Sequence, residues 1–289
     1  MLGSASYLGL CLVCTKGTPV ADMLAHSPPL LPLVVDYYDE NFIMSTEDEE
    51  GLILALEQRD RVRQIRLRMD TSSMQRLIMV ISEEYPILEY LVVITSDGHP
   101  SLALPERLQA PHLHHLALSG FALPIRSRLL TTAVNLVTLV LMMTIPSTYF
   151  QPNALLQWIS FMPQLDTLII YFIPADSTHT IEGQLTDIPA IAPIALPNLR
   201  WFWYQGVGAY LEAVVRSITS SRLERLQVSF FEQLTFSVPH LLQFMNTATE
   251  TRNLSFSNAK LDFSIGQVGV ATYPHEGADL SHSLHIHVL

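Results

Sequence analysis

Apolar side chains recur along this chain in one short phase, at the first, fourth and sixth positions of a seven-residue window. Four windows follow a proline: Pro86 precedes Leu88, Leu91 and Val93; Pro111 precedes Leu113, Leu116 and Leu118; Pro163 precedes Leu165, Leu168 and Ile170; Pro197 precedes Leu199, Phe202 and Tyr204. The same phase, without the proline, returns at Val62, Ile65 and Leu67, at Leu136, Leu139 and Leu141, and at Leu223, Leu226 and Val228. Weaker versions stand at Leu30, Leu33 and Val35 and at Thr251, Leu254 and Phe256, which makes nine candidate units. Each window predicts a short strand that begins with a turn, its first, fourth and sixth residues buried and its third, fifth and seventh on the opposite side. Proline suits the place before such a strand, because it ends the preceding helix and leaves no ladder hydrogen bond unmade.

Between the windows the period changes from that of a strand to that of a helix. Met74, Leu77, Ile78 and Ile81 follow the i, i+3, i+4, i+7 rule, as do Leu211, Val214, Val215 and Ile218, with shorter versions at 155–159 and 241–245. Thr46 and Glu49 read as a capping box, with Glu47 and Asp48 also placed to favour the positive end of a helix dipole. Strand and helix alternate, which requires a parallel sheet with helices against it. The first positions of successive windows are 23 to 34 residues apart (from 113 to 136 and from 165 to 199), which overlaps the roughly 20–29 of leucine-rich repeats. The expected fold is therefore an α/β irregular leucine-rich-repeat solenoid, with a curved parallel sheet on the concave face and helices on the convex face. The expected organisation is an N-terminal capping segment over 1–29, about nine repeats over 30–257, and a C-terminal cap or truncated tail over 258–289.

Composition fits a single elongated array, since no Gly/Ser linker or charged low-complexity tract divides the 289 residues. Charged residues make up 15% of the chain and apolar ones 49%, so much of it is expected to be buried. No apolar run reaches the ~18 residues that span a bilayer, and the stretch 7–13 lacks the basic flank of a signal peptide. A net charge of −11, with no Lys or Arg between Leu129 and Leu199, argues against nucleic-acid binding by a basic face. The basic cluster Arg59, Arg61, Arg63, Arg66 and Arg68 reads either as a solvated strand and turn or as a contact for an acidic partner. Two cysteines make no disulfide framework, which predicts an intracellular protein, cytoplasmic or nuclear. Cys11 and Cys14 have redox spacing but no second pair to complete a zinc site, and are read as buried, inert thiols.

The search for reaction chemistry returns little. Of the dense histidine groups, His112, His114 and His115 do not converge, while His285 and His287, near His282, are close enough to share a metal but have no carboxylate or cysteine at usable spacing. A metal-dependent enzyme using this histidine-rich tail is the alternative reading. His275 and Glu276 begin a zinc-protease motif that lacks its second histidine, and there is no nucleophile elbow or phosphate-binding glycine loop. The expected protein is not an enzyme, and no cofactor is implied.

If the phase holds, a partner would touch the third, fifth and seventh positions. These hold polar residues at the ends of the array, including Arg66, Arg68 and Arg225, and apolar or aromatic ones in the middle: Tyr90, Ile169, Tyr171, Trp201 and Trp203. Trp, Tyr and Arg dominate interface hot spots, which makes Trp201 and Trp203, with Tyr171 beside them, the candidate anchor for an unknown protein partner. The competing reading covers these aromatics with the chain's own long loop at 176–194.

The repeats, together with the segments 18–30, 110–116, 196–202 and 234–244, resemble the F-box/leucine-rich-repeat proteins of mushroom-forming fungi, over about residues 18–275. In that family an F-box docks on the adaptor of a cullin-type ubiquitin ligase, and the repeats select the protein to be ubiquitinated. The resemblance thus implies a protein-interaction module that serves as a ubiquitin-ligase substrate receptor. The opening motif of an F-box does not occur in the chain, so the adaptor is expected as a partner only where an F-box is supplied elsewhere. A shortened copy that only binds, or one without function, is the other expectation.

Overall fold

The computed structural model describes residues 11–38, 44–95, 102–143, 150–172, 193–230, 239–250, 256–264, 267–274 and 284–288. The main-sheet strands are β1 (Leu12–Cys14), β2 (Leu33–Tyr38), β3 (Val62–Met69), β4 (Tyr90–Thr95), β5 (His115–Ser119), β6 (Thr138–Met143), β7 (Thr167–Phe172), β8 (Trp201–Gly206) and β9 (Arg225–Phe230). All nine run parallel, and each pairs with its sequence neighbours. Seven helices accompany them among the described residues: α1 (Val20–His26), α2 (Thr46–Leu56), α3 (Thr71–Val80), α4 (Arg128–Thr132), α5 (Pro152–Ile159), α6 (Gly208–Val215) and α7 (Pro239–Glu250). The fold is mixed α/β, built on a large parallel sheet.

The apolar phase explains which side of the sheet is covered. Leu88, Leu91, Leu113, Leu116, Leu118, Leu136, Leu139, Leu141, Leu165, Leu168, Ile170, Leu199, Phe202 and Tyr204 are all fully buried. They share one core with the inward residues of the helices, among them Met74, Leu77, Leu155 and Leu211. The third and fifth positions are mostly half-buried, as at Tyr90, Val92, Val140, Ile169, Trp201 and Trp203. Among the described residues the helices share a core with the first side only, and the second side is termed the open face.

Five windows open with the same turn. The amide of the first leucine donates to a carbonyl three residues back, from Leu88 to Tyr85 at 3.3 Å, Leu113 to Ala110 at 3.1 Å, Leu136 to Ala133 at 3.1 Å, Leu165 to Met162 at 3.1 Å and Leu199 to Leu196 at 3.2 Å. The next two amides then share one carbonyl of the preceding repeat: His114 and His115 donate to Glu89, Asp166 and Thr167 to Val137, and Arg200 and Trp201 to Asp166. That shared acceptor absorbs the extra residue and sets the later positions in strict alternation. Side chains reinforce the spacing. The amides of Asn135 and Asn198, each just ahead of a window's leucine, donate to the carbonyls of Pro111 (3.3 Å) and Pro163 (3.2 Å) in the preceding unit.

Four expectations are corrected. The sheet is not curled. Curvature in a repeat array requires helices, about 10 Å wide, behind every strand, against strands spaced about 4.8 Å apart. Among the described residues, 102–114 ahead of β5 hold no helix and α4 has only 5 residues, so the wedge is thin at those two steps. Leu30 is not a core position: it is 91% exposed. It sits in a turn after Pro28 and Pro29, held from behind by the Arg61 guanidinium, which donates to the carbonyls of Leu31 and Pro28 and to Ser27 Oγ. The cap of α2 is Ser45 rather than Thr46. Its Oγ accepts from the Asp48 amide at 3.1 Å, and Asp48 also takes the Gly17 amide at 2.7 Å, an earlier element that no local pattern includes. Of the two cysteines only Cys14 is buried, where desolvation pushes its thiol up to about 11; Cys11 is exposed.

Beyond β9 the connectivity changes. Strands β10 (Phe256–Ser264), β11 (Gln267–Pro274) and β12 (Leu284–Val288) form an antiparallel meander, and β12 adds parallel to β9, giving the order β9-β12-β11-β10. Helix α7, which precedes it, is capped by Glu212 of α6, whose carboxylate accepts the backbone amides of His240 and Leu241, both at 2.9 Å. Among the described residues, no helix is long and apolar enough to cross a membrane.

Candidate functional site: the open face of the sheet

Parallel register arranges the outward positions into three rows. The first runs Gln64, Tyr90, His115, Thr138, Thr167, Trp201 and Arg225. The second runs Asp36, Arg66, Val92, Ala117, Val140, Ile169, Trp203 and Gln227. The third runs Tyr38, Arg68, Ile94, Ser119, Met142, Tyr171, Gln205 and Ser229. Every residue of the anticipated strip (Arg66, Arg68, Tyr90, Ile169, Tyr171, Trp201, Trp203 and Arg225) therefore stands on one face. They do not form one cluster: β3 and β4 carry three of them, and β7, β8 and β9 carry five.

At the β2–β5 end the polar groups are matched to one another. Arg66 Nη1 lies 3.5 Å from Asp36 Oδ2, and its guanidinium sits 4.7 Å from the centroid of the Tyr90 ring. Tyr90 in turn stacks on His115, with centroids 4.2 Å apart and planes 6° from parallel. Burial, helped by the nearby Arg66 charge, pushes the His115 imidazole down to about 4, so it is a neutral ring at physiological pH. Arg68 lies over its register partner Tyr38 at 5.1 Å.

The β7–β9 end is aromatic. Tyr171 meets Trp203 edge to face at 6.3 Å, and Arg225 lies over its register partner Trp201 at 5.0 Å. The indole N–H groups of Trp201 and Trp203 are both shielded from solvent and make no hydrogen bond, as does Arg66 Nε at the other end. A buried donor without an acceptor costs about 1–3 kcal/mol. The open face therefore presents half-buried apolar rings whose indole donors lie shielded beneath its surface. The loop expected to cover these rings lies, over 176–192, outside the described residues.

Compared with protein-family models, curated proteins and solved structures, the chain matches none of them.

The remaining anticipated residues fall elsewhere. Arg59, Arg61 and Arg63 line the edge where the strands begin, with Arg63 paired to Glu89 at 2.9 Å. Farther along that edge, beyond His114 and Val137, Arg200 is hydrogen-bonded to Asp166, which places a second charged pair at the second position of the windows. Two clefts open on this edge, of about 750 Å³ near Arg59, Asp60 and Glu83 and about 460 Å³ near Asp166, Arg200 and Glu224. Among the described residues, no three His, Cys, Asp or Glu side chains gather as a metal site. His112 and His114 are exposed beside the stacked His115. Positions 275 and 282 lie outside the described residues, and 285 and 287 are register partners of Gln227 and Ser229.

Cation–π pairing was not anticipated from the sequence. Its signal was nonetheless present, because residues in equivalent window positions become lateral neighbours, and Arg225 and Trp201 are both third residues.

Proposed function

We propose that the chain is a protein-interaction module of the leucine-rich-repeat type, whose open face receives the partner. One observation carries this reading: a row of half-buried apolar and aromatic side chains, Val92, Val140, Ile169 and Trp203, crosses the face of the sheet away from the core, with Arg66 at one end, Gln227 at the other and Arg225 in the adjoining row. Such a strip, with a Trp and Tyr anchor and polar margins, has the composition of an interface centre. The repeating turn, the strand and the helix-side leucines support placing it among leucine-rich-repeat arrays of an irregular, shallow kind. The resemblance to F-box/leucine-rich-repeat proteins extends the proposal to substrate recognition for a cullin-type ubiquitin ligase.

The two parts separate experimentally. Trp203→Ala should abolish partner capture in affinity purification while leaving the far-ultraviolet circular dichroism unchanged; undiminished capture would exclude the open face. Co-purification of the ligase adaptor with the native protein tests the ligase part, and its absence where F-box relatives retain it would leave the interaction module alone.

A further inference from the structure

Resting on the interaction-face reading, we infer that the partner presents an extended acidic segment that crosses the strands, with carboxylates at both ends and an apolar anchor nearer one of them. Two features of the open face lead to this.

The first is charge. The chain carries a net −11, yet among the described residues the open face of β2 to β9 holds Arg66, Arg68 and Arg225 against Asp36 alone. The face is thus locally positive on a negative protein, which draws an acidic ligand and rejects a basic one. The second is how the cations are held. Each of the three arginines lies over an aromatic ring, on Tyr90, Tyr38 and Trp201 respectively. A guanidinium already held over a ring loses less freedom when it meets a carboxylate.

Register gives the segment a length. Six strand spacings separate β3, which carries Arg66 and Arg68, from β9, which carries Arg225, and at about 4.8 Å each this is roughly 29 Å. An extended chain rises about 3.3 Å per residue, so the two acidic ends stand roughly nine residues apart. The apolar anchor belongs beside Trp203, one strand from Arg225.

The test is selection of random 16-residue peptides displayed on phage against the full chain, followed by anisotropy titration of fluorescein-labelled synthetic peptides. Expected are peptides with Asp or Glu about nine residues apart and an aromatic or aliphatic residue toward one acidic end. Their affinity should fall about tenfold or more in Arg66→Glu/Arg68→Glu and in Arg225→Glu, fall again as salt is raised from 50 to 300 mM, and weaken when the acids are moved together. Circular dichroism and urea unfolding confirm that each variant is folded. Selected peptides without acids, or acidic ones that ignore the charge reversals but are lost in Trp203→Ala, overturn the acidic-segment inference and keep the interaction face. Peptides indifferent to both the arginine and the Trp203 changes overturn the inference and the interaction face together. A selection that enriches nothing overturns the inference and leaves the face to the partner-capture experiment.

Discussion

The three tryptophans mark a difference between the two faces of the sheet. Trp158, on α5, is fully buried on the helix side, and its indole donates to the Ile125 carbonyl at 3.0 Å. Trp201 and Trp203, on β8, lie on the open side, and their indole N–H groups are shielded but unanswered. The same side chain is thus complete on one face and incomplete on the other. The helix side also keeps unpaired polar atoms, at Tyr210 Oη and at Ser127 Oγ ahead of α4, so the faces differ chiefly in burial: Trp158 is fully enclosed, whereas Trp201 and Trp203 are half-buried and leave ring surface for a partner.

The sharpest way to break this comparison is to truncate one residue on each side of neighbouring strands. Leu168→Ala on β7 removes a fully buried side chain and should cost about 2–5 kcal/mol in urea unfolding. Trp203→Ala should cost markedly less, since the loss of half-buried ring packing is partly offset by removing an unsatisfied donor; equal losses would erase the distinction between the faces. Next in size is Gly206→Ala at the end of β8. An added Cβ would lie 2.5 Å from Tyr204 Oη and 2.8 Å from Phe172 Cδ2, on the helix-side aromatic cluster. The expected loss is about 1–3 kcal/mol, and a neutral result would show that this cluster yields.

A smaller effect sharpens the picture at the other end of the open face. The imidazole of His115 is held down to about 4 in the fold, against about 6.5 when unfolded. The unfolded chain therefore binds more protons between those values, so His115 contributes a loss of stability as pH falls from about 6.5 to about 4. His115→Phe keeps a ring against Tyr90 and should flatten that part of the pH profile; an unchanged slope would remove His115 from the account. Smallest of all is thiol reactivity. Iodoacetamide should label Cys11 in the native protein and reach Cys14, whose thiol burial keeps protonated, only after denaturation. Rapid native labelling of both, read by mass spectrometry, would contradict a closed core beneath β1.

The core was the most legible part of the sequence, because its pattern is local. In the windows from β3 to β9, the first, fourth and sixth residues are buried as the phase requires. The helix positions Met74, Leu77, Ile78 and Ile81 are buried too. Leu30 failed where the pattern was weakest, since the two prolines and Arg61 fix its turn through contacts about thirty residues apart. The open face was legible as a set of positions and not as an arrangement. That Tyr90 stacks on His115, and that Arg66 divides itself between Asp36 and Tyr90, depends on lateral pairing between strands whose loops differ in length. The unmet indole donors have no sequence signal, because satisfaction is a property of what lies nearby.

The placement of β12 has a consequence for synthesis. Through β9 each strand can dock on the one made just before it, so the sheet grows in the order in which the chain is made. After Phe230 that order is suspended, since the strand that pairs with β9 begins at Leu284, and β10 and β11 come first. At about 5–20 residues per second, the outer edge of β9 waits on the order of several seconds for its neighbour. During that interval a nascent chain exposes an unpaired parallel strand backed by a core that, until α7 is made, also lacks Leu241 and Phe244, and this is when a chaperone or a second nascent chain has its opening.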